Sequence, residues 1–317
     1  MKNILCCLFF FLLATSAFAQ NKVFKIAVAG LTHDHVNEVL AKAKNGDYEL
    51  IGISESNRAI AEKYAKRYGF SMDIVYPSLE KMLSEIEPEA VCAYNSIKEH
   101  LEVVELCAPK GIHVMVEKPL AVSLSDAKTM EILAKENHIQ LITNYETTWY
   151  PTNHKVKEIL KEEKETYGDI RKIVIHDGHQ GPKEIGVTPE FLAWLTDPEF
   201  NGAGALIDFG CYGANLSTWL HNGDRPTSVT AVSQQIKPHI YPKVDDETTI
   251  ILTYPKSQSI IQASWNWSFG RKDMEVYTER GFLHQKNKFD LGIRPNEKSK
   301  EEAVTLPELP KNYNDSF

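Results

Sequence analysis

Cysteine is scarce in this sequence, with five residues in 317. Cys6 and Cys7 lie in an apolar N-terminal run, which leaves Cys92, Cys107 and Cys211 for the rest of the chain. Three widely spaced cysteines form no disulfide framework, and the lack of paired CxxC motifs argues against a cysteine-ligated metal. We therefore expect these three side chains to be small apolar residues of the core.

Basic tracts and long apolar segments are also missing. The formal net charge is −8, and lysine and arginine form no cluster. An acidic chain of this kind is a poor partner for nucleic acid or for an anionic membrane surface. Beyond the N-terminus, no apolar stretch is long enough to span a bilayer. The sequence therefore predicts neither a nucleic-acid partner nor a membrane partner.

The N-terminus has the pattern of an export signal. Met1–Asn3 carries one positive charge, Ile4–Leu13 is apolar, and Ala17–Ala19 forms an A-x-A end before Gln20. This combination is typical of a cleaved secretory signal peptide. We expect residues 1–19 to be removed and the mature protein to be periplasmic or extracellular; a retained N-terminal anchor is the alternative.

Residues 20–150 alternate apolar strands with amphipathic helices. In the first helix Val36, Val39, Leu40 and Ala43 recur at helical spacing. Short apolar runs typical of buried strands occur at Val23–Ala29, Tyr48–Ser54, Ala90–Tyr94, His113–Glu117 and Ile139–Thr143. Strict alternation with short connections predicts an α/β domain with a parallel, doubly wound sheet.

The pattern changes from residue 151 onward. A charged helix over Asn153–Glu165 links to a region with one further helix, near Cys211–Leu220, and five β-runs without crossover helices: Ile170–His176, Ser228–Gln235, Thr248–Tyr254, Ile260–Trp267 and Met274–Thr278. Such runs predict a second, α+β domain over residues 151–295 with a largely antiparallel, open sheet. Residues 296–317 form a polar tail to which we assign no firm structure.

The first strand leads into a turn that resembles part of a dinucleotide site. Such a site needs a tight turn, a backbone close to the pyrophosphate and a helix N-terminus. Gly30 supplies the turn, but Thr32 and His35 replace the second and third glycines of G-x-G-x-x-G. Thr32 and Asp34 are good helix caps, and Thr32 can also donate to a phosphate. We predict cofactor contacts from Gly30, Leu31, Thr32 and His33.

A metal site at this turn is not expected. His33 and His35 are two positions apart, so they cannot share one face of a helix. The sequence offers no carboxylate partner here beyond Asp34. We predict that no metal is bound.

An acid after the second strand indicates the type of dinucleotide. Glu55 lies 25 positions after Gly30, where a carboxylate binds the ribose hydroxyls of NAD and repels the extra phosphate of NADP. Arg58 nearby keeps NADP possible. Asn95, which follows the strand ending at Tyr94, is a further predicted cofactor contact.

Two later segments carry the most specific signal. Glu117-Lys118-Pro119 ends the strand His113–Glu117, so that a cation faces the ligand crevice at the carboxyl edge of the sheet. Asn201–Tyr212 reads NGAGALIDFGCY. Together with the turn at Gly30 and the acid at Glu55, these segments resemble the Gfo/Idh/MocA oxidoreductase family over about residues 22–285. The resemblance implies a Rossmann-type first domain.

The resemblance also implies roles for single residues. Glu117 and Lys118 would contact the cofactor, with Lys118 beside the nicotinamide and the substrate hydroxyl, and Asp208 would be the aspartate of the second motif. Many members place a histidine four residues after that aspartate. Tyr212 stands there, as in the branch that includes glucose–fructose oxidoreductase and dihydrodiol dehydrogenase. Free tyrosine, with a pKa near 10, is a poor base, but a nearby ammonium favours the phenolate.

Structural interpretations stand beside these roles. Tyr212 falls in a helical apolar stripe with Leu216 and Leu220, so it can instead be a core residue, and Asp208 can be a helix cap. His176, His179, Trp149 and Trp194 are the predicted lining of the substrate cleft. By resemblance, the substrate is a sugar, a polyol or a related compound, and the protein is a homo-oligomer.

Three functions remain open from the sequence. The first is net hydride transfer between a hydroxyl compound and NAD(P). The second is glycoside cleavage by transient oxidation and elimination, which needs no cofactor exchange and suits an exported protein. The third is a binding protein without catalysis, because two glycines of the cofactor turn are missing.

Overall fold

The computed structural model describes residues 23–306 and 308–310. The predicted signal peptide, residues 1–19, lies outside the described residues, as do Cys6 and Cys7. Within the described part, no helix is both long and apolar enough to cross a membrane. Cys92 and Cys107 are buried as free thiols, whereas Cys211 is only partly buried.

The first domain is the parallel α/β sheet that the alternating pattern predicts. Its six strands are β1 Lys25–Ala29, β2 Glu49–Ser54, β3 Val75–Tyr76, β4 Ala90–Ala93, β5 His113–Glu117 and β6 Leu141–Asn144. They pair in the order β3-β2-β1-β4-β5-β6, every pair parallel. The order reverses at β1 and β4, where ligands bind in folds of this kind.

Five helices cover the two faces of this sheet: α1 Val36–Asn45, α2 Arg58–Tyr68, α3 Leu79–Glu85, α4 His100–Cys107 and α5 Leu124–Glu136. Asn57 caps α2 and Ser123 caps α5, each accepting backbone N–H bonds. α1 differs from the prediction. His35 is its N-cap and makes no side-chain cap, so neither Thr32 nor Asp34 caps this helix.

In its described residues, the second domain contains six α-helices and an eight-stranded sheet. The helices are α6 Pro151–Glu162, α7 Lys164–Tyr167, α8 Pro189–Leu195, α9 Pro198–Asn201, α10 Ala205–Asp208 and α11 Gly210–Leu220. The strands are β7 Ile170–Gly178, β8 Ser228–Gln234, β9 Glu247–Thr253, β10 Gln258–Ser264, β11 Arg271–Thr278, β12 Phe282–Gln285, β13 Leu291–Arg294 and β14 Glu302–Ala303. All neighbours are antiparallel except β7 and β10, which confirms a largely antiparallel sheet.

The packing of α11 on this sheet fixes the position of Tyr212. On β9 and β10 alternate residues are buried, as expected for a sheet with one covered face. Gly213 contacts Ile261 on β10 so closely that a Cβ would overlap that side chain. Leu216 and Leu220 continue the same buried face of α11. The helix is therefore held against the sheet at the turn that carries Tyr212.

Candidate active site

The carboxyl edge of the first sheet holds a small cavity of about 250 Å³ beside Gly30. Gly30 has a φ of +78°, and Asn95 lies so close that a Cβ would be 2.7 Å from the Cβ of Asn95. Only glycine satisfies both conditions without strain. Four predicted cofactor residues line this cavity: Gly30, Thr32, Glu55 and Asn95.

Glu55 is built into the turn as well as into the cavity. Its carboxylate accepts the N–H of Leu31 at 2.9 Å and the N–H of Asn57 at 2.8 Å. Burial raises the pKa of Glu55, although both hydrogen bonds oppose that shift. The Oδ1 atom of Asn95 is buried and has no hydrogen-bond partner among the described residues. A carboxylate and an unpaired amide oxygen are suitable acceptors for the hydroxyl groups of a ribose.

Leu31 and His33, the other predicted cofactor residues of the turn, do not line this cavity. Leu31 belongs to the core of the first domain. The N–H groups of Thr32 and His33 both donate to the carbonyl of Tyr94, at 3.2 and 2.8 Å. The His33 ring is buried against Phe191 of α8, with ring centroids 4.3 Å apart. The turn is thus bonded to the strand below it and packed against the second domain.

Asp34 joins the two domains. Its carboxylate accepts the Oγ1–H of Thr188 at 2.6 Å and the N–H of Thr188 at 3.0 Å. Asp34 lines a second and larger cavity of about 590 Å³, which contains none of the residues that line the first. The hydrogen bonds between Asp34 and Thr188 therefore hold the turn against the second domain at the second cavity.

Lys118 and Asp208 form a buried ion pair in this larger cleft. The Nζ of Lys118 donates to the Asp208 carboxylate and, at 3.0 Å, to the Asp208 carbonyl. Trp265 donates its Nε1–H to the other carboxylate oxygen at 3.0 Å. Burial opposes both charges, but each partner outweighs it: the pKa of Asp208 is lowered to about 2, and the pKa of Lys118 is raised. Both groups therefore stay charged at neutral pH.

Tyr212 lines the cleft between two ammonium groups. The Nζ of Lys118 lies 5.2 Å from the centroid of its ring, and the Nζ of Lys272 lies 4.5 Å from it. Burial, with Glu146 as the next cause, raises the pKa of Tyr212 well above 10. This shift is opposite to the one that the sequence argument expected, because both cations contact the ring face and burial dominates. Tyr212 therefore stays protonated.

Sequence reasoning missed a second ion pair in the cleft. Lys272 on β11 donates to Glu146, and the hydroxyl of Tyr150 donates to the same carboxylate at 2.6 Å. Lys272 lowers the pKa of Glu146 to about 2, although burial acts in the opposite direction. No short motif marks these residues. Glu146 follows β6, the last strand of the first domain. Lys272 reaches it only because the strand order of the second sheet places β11 there.

Glu117 faces the histidines of the turn rather than the cavity beside Gly30. Its Oε2 lies 3.0 Å from Nδ1 of His35 and 3.9 Å from Nε2 of His33. Its Oε1 accepts from Asn144 at 2.7 Å. The sequence argument found no carboxylate partner for this histidine pair beyond Asp34. That inference was wrong, since the fold brings the end of β5 against the start of α1.

By distance alone, these three side chains could surround a metal ion, since one ligand atom from each lies within 4.8 Å of the others. The hydrogen bonding argues against it. The N–H of His35 donates to Nδ1 of His33 at 3.1 Å, which places the proton of a neutral His33 ring on Nε2. The nitrogen that faces Glu117 then has no lone pair to offer. The prediction that no metal is bound stays a prediction.

The four predicted substrate residues are dispersed. His179 lines the cleft, where its ring packs edge-on against Phe209. His176 points to the other side of β7 and bonds to Asp273 at 3.0 Å. Trp149 and Trp194 do not line the cleft. Trp149 donates to Asn144 at 3.2 Å, and Trp194 packs on His33 with a ring distance of 5.6 Å. Trp194 therefore supports a residue that lines the cleft, whereas Trp149 contacts Asn144, which does not line it.

Comparison with known families identifies the two domains. The model described as "Oxidoreductase family, NAD-binding Rossmann fold" matches residues 24–145. The model of the Gfo/Idh/MocA C-terminal domain matches residues 154–284. The chain belongs to the Gfo/Idh/MocA oxidoreductase family. The match confirms the resemblance inferred from Glu117-Lys118-Pro119 (E-K-P) and from Asp208-Phe209-Gly210 (D-x-G) in the second segment. It also confirms the Rossmann-type first domain of an NAD-binding family.

Individual members of the Gfo/Idh/MocA family are distant. The trans-1,2-dihydrobenzene-1,2-diol dehydrogenase of Sus scrofa is 23% identical over 230 residues, which cover 73% of this chain and 64% of that enzyme, less than two thirds. The Macaca fascicularis enzyme of the same name is 21% identical over 91% of this chain and 81% of its own.

Among solved structures, an inositol dehydrogenase homolog from Azotobacter vinelandii complexed with NAD+ has a TM-score of 0.79 at 16% identity, covering 90% of this chain and 76% of its own. The aldose-aldose oxidoreductase from Caulobacter crescentus complexed with glycerol has a TM-score of 0.76 at 18% identity. The match covers 92% of this chain and 86% of that enzyme. At these identities the likeness concerns the fold.

Proposed function

We propose that this protein is an NAD-dependent oxidoreductase that transfers hydride between the cofactor and a hydroxyl group of a sugar, a polyol or a related compound. One observation carries the proposal. The Lys118–Asp208 pair is buried at the carboxyl end of β5, beside Tyr212, in a cleft between the NAD-binding domain and the second domain. A fixed cation at this edge is suited to stabilise charge that develops on a substrate oxygen.

NAD suits both ends of the proposed site. Glu55 and the Oδ1 of Asn95 would bind the ribose hydroxyls. Gly30 would allow the protein backbone to approach the pyrophosphate of the cofactor closely. Lys118 lies at the end where the nicotinamide would stand. When bound, the nicotinamide supplies the acceptor for the hydride. A carboxylate at Glu55 favours NAD over NADP, which carries a further phosphate.

Tyr212 takes the place of the histidine that many family members have after the D-x-G segment. Because burial keeps its hydroxyl protonated, Tyr212 would donate a hydrogen bond to the substrate oxygen. Lys118 would act on the same oxygen as an ammonium. These two groups would orient the substrate and stabilise charge on its oxygen.

The cleft suits a molecule with several hydroxyl groups. Lys272 and Glu146 present a donor and an acceptor on one wall, and His179 adds a ring nitrogen on another. Relatives of the family act on comparable molecules by name, such as an inositol dehydrogenase homolog and an aldose-aldose oxidoreductase. In small-molecule sites generally, a few placed polar groups among aromatic and apolar walls fix the orientation of the ligand.

We also propose that the protein is a homo-oligomer. Strand β8 forms an edge of the second sheet, and all its residues are exposed, including Val229 and Val232. An exposed apolar edge strand is a surface that proteins normally cover. Light scattering tests this, with Val229→Lys/Val232→Lys expected to yield a smaller species.

Export is a further proposal, supported by the signal pattern of residues 1–19. Fractionation of cells that express the full chain, followed by N-terminal sequencing, tests it. A mature protein that begins near Gln20 outside the cytoplasm is expected, whereas an intact N-terminus in the cytoplasm would contradict the proposal.

The test of function begins with native mass spectrometry of the purified protein for a bound dinucleotide. A panel of trans-1,2-dihydrobenzene-1,2-diol, myo-inositol, aldoses and glycosides is then assayed by nicotinamide absorbance and product analysis. Net NADH formation with NAD supports the proposal. Glycoside cleavage without net NADH would favour transient oxidation and elimination. No bound dinucleotide and no response to added NAD or NADP would leave only a binding protein.

A further inference from the structure

The lysine and arginine side chains of the cleft differ in whether a carboxylate neutralises them. Among the described residues, four of these side chains line the cleft: Lys118, Arg271, Lys272 and Lys288. Lys118 pairs with Asp208, and Lys272 pairs with Glu146. Both acids line the same cleft. The charges of these two lysines are therefore balanced before a ligand enters.

Lys288 has no such partner. The guanidinium of Arg271 binds Asp273 through Nε at 2.6 Å and through a terminal nitrogen at 2.8 Å. Within the described residues, Lys288 makes no ion pair and contacts two aromatic rings instead. The one acid of the cleft that binds no lysine, Asp34, accepts two hydrogen bonds from Thr188. Lys288 is therefore a cation of the cleft whose charge attracts an anion.

The half-buried side chain of Lys288 is held in place although it is not neutralised. Its Nζ lies 5.9 Å from the ring centroid of Tyr150 and 5.5 Å from that of Phe289, within the range of a cation–π contact. Below it, the hydroxyl of the buried Thr152 donates to the carbonyl of Asn287 at 2.9 Å and lies 3.2 Å from the carbonyl oxygen of Lys288. Asn287 also closes the turn by accepting the N–H of Phe289 at 2.8 Å. The fold thus presents a positive charge at a fixed position.

A series of contacts connects Lys288 with Tyr212, which is proposed above to bind the substrate oxygen. The hydroxyl of Tyr150 donates to Glu146 at 2.6 Å, and Glu146 binds Lys272. The Nζ of Lys272 lies 4.5 Å from the ring centroid of Tyr212. The cleft that these residues line has a volume of about 590 Å³, which is within the range of small-molecule sites. One ligand can therefore place a hydroxyl group at Tyr212 and another group, several bonds away, at Lys288.

We propose that the substrate carries an oxyanion, a carboxylate or a phosphate, and that Lys288 is the residue that selects it. The proposal rests on the oxidoreductase function proposed above and narrows its substrate class to acidic compounds, such as a uronic acid or a sugar phosphate. The Lys288 ammonium donates charge-assisted hydrogen bonds to the oxyanion. It acts at a distance from the hydroxyl group that loses the hydride, so it determines affinity rather than the rate of the chemical step.

The cofactor is a second source of negative charge near the cleft. The cavity beside Gly30 is lined by residues of the first domain, whereas Lys288 lies between β12 and β13 of the second domain. We therefore expect Lys288→Gln to bind NADH as tightly as the wild type in a fluorescence titration. A loss of NADH affinity as large as the loss for an acidic substrate would assign the lysine to the cofactor and overturn the proposal.

The first experiment measures binding and needs no turnover. Calorimetric titrations in the presence of NADH compare D-glucuronate and D-glucose 6-phosphate with D-glucose, and D-gluconate with D-sorbitol. We expect at least one acid to bind about tenfold or more tightly than its neutral counterpart, and we expect added salt to weaken this preference. The carboxylate and phosphate arms identify which oxyanion the site prefers. Acids that bind no more tightly than their neutral counterparts would overturn the proposal.

The second experiment uses variants of the same hairpin. Lys288→Gln should raise KM for the preferred acid by about tenfold or more, with little change in kcat and none in kcat/KM for the neutral counterpart. Lys288→Arg keeps the charge and should restore most of the affinity. Lys286→Gln is the matched control, because Lys286 pairs with Glu301 at 2.5 Å and does not line the cleft. Equal losses for the acid and its neutral counterpart in Lys288→Gln would mean that the lysine only supports the fold.

The outcomes separate this proposal from the proposed function. A wild type that binds no dinucleotide and oxidises nothing contradicts the oxidoreductase function. A wild type that oxidises acids and neutral compounds equally well, with Lys288→Gln unchanged, contradicts only the role of Lys288. Selective binding of an acid that is lost in Lys288→Gln supports the role of Lys288 even where no turnover follows.

Discussion

The Lys118 ammonium and the Asp208 carboxylate form an ion pair whose side chains are only 6% and 7% exposed. They come from separate domains, one after β5 and the other at the end of α10. Removal of either partner leaves a buried charge without its counterion, which is strongly destabilising. The pair is therefore part of the proposed active site, and it also joins the two domains.

Lys118→Met should abolish turnover and lower the free energy of unfolding by about 3–5 kcal/mol. The double variant Lys118→Met/Asp208→Asn should regain part of that stability and none of the activity, because it removes both charges of the pair. Urea unfolding and NADH formation measure the two effects. Lys98→Met removes a matched, exposed pair with Glu199 and should cost about 1 kcal/mol or less. Retained activity in Lys118→Met would remove Lys118 from the chemistry.

Glu55→Gln should weaken NAD binding by about tenfold, which corresponds to about 1.4 kcal/mol, and should raise the affinity for NADP relative to NAD. The amide keeps the shape of the side chain but loses the charge that binds the ribose diol and repels a phosphate. Fluorescence titrations with NADH and NADPH measure both affinities. Glu62→Gln, on the exposed side of α2, is the control. An unchanged NADPH to NADH ratio would argue against a ribose contact at Glu55.

The sequence predicted most of the first domain because its elements are long and periodic. The five predicted strands and their helices are present, but β3 was not predicted, since two residues carry no pattern. In the second domain the antiparallel sheet was predicted only as far as Thr278. Strands β12 and β13 have four residues each, and β14 lies in the predicted tail.

The candidate site was predictable where a family segment marks each partner and less so where only the fold joins distant, unmarked residues. Lys118 and Asp208 follow from the two family segments. Lys272 lies in no motif, and it reaches Glu146 only through strand pairing in the second domain. The contacts of His33 and His35 were missed for the same reason, because Glu117 is 82 residues from His35 along the chain.

Asp34→Asn should tighten NAD binding several-fold. The carboxylate lies at the turn where a pyrophosphate would approach a helix N-terminus, and like charges repel. Its bonds to Thr188 also tie this turn to the second domain, and the amide retains only one acceptor oxygen for them.

Stopped-flow NADH binding at low and high salt measures this effect. Salt should strengthen binding to wild type more than to Asp34→Asn, since it screens the repulsion. Asp47→Asn, at an exposed position on the loop before β2, controls for net charge. Weaker binding in Asp34→Asn would mean that the carboxylate supports the site rather than opposing the cofactor.

Asp177→Asn should stabilise the protein at neutral pH. Asp177 on β7 is fully buried, and in the described part of the chain neither carboxylate oxygen has a hydrogen-bond partner. Burial, only partly offset by Lys272, raises the pKa of Asp177 well above 3.8. The folded state therefore holds a proton that the unfolded state releases, so wild-type stability falls as pH rises above about 4. Each pH unit costs about 1.4 kcal/mol until the raised pKa is reached.

Asparagine cannot ionise, so its advantage over wild type should be largest near pH 7 and should shrink as the pH falls toward 4. Urea unfolding of both proteins at several pH values measures the difference, with Asp47→Asn as an exposed control whose effect should not grow with pH in this way. A stability difference that stays constant between pH 4 and pH 7 would mean that Asp177 ionises equally in both states. It would then require a buried partner for the carboxylate that the fold does not supply.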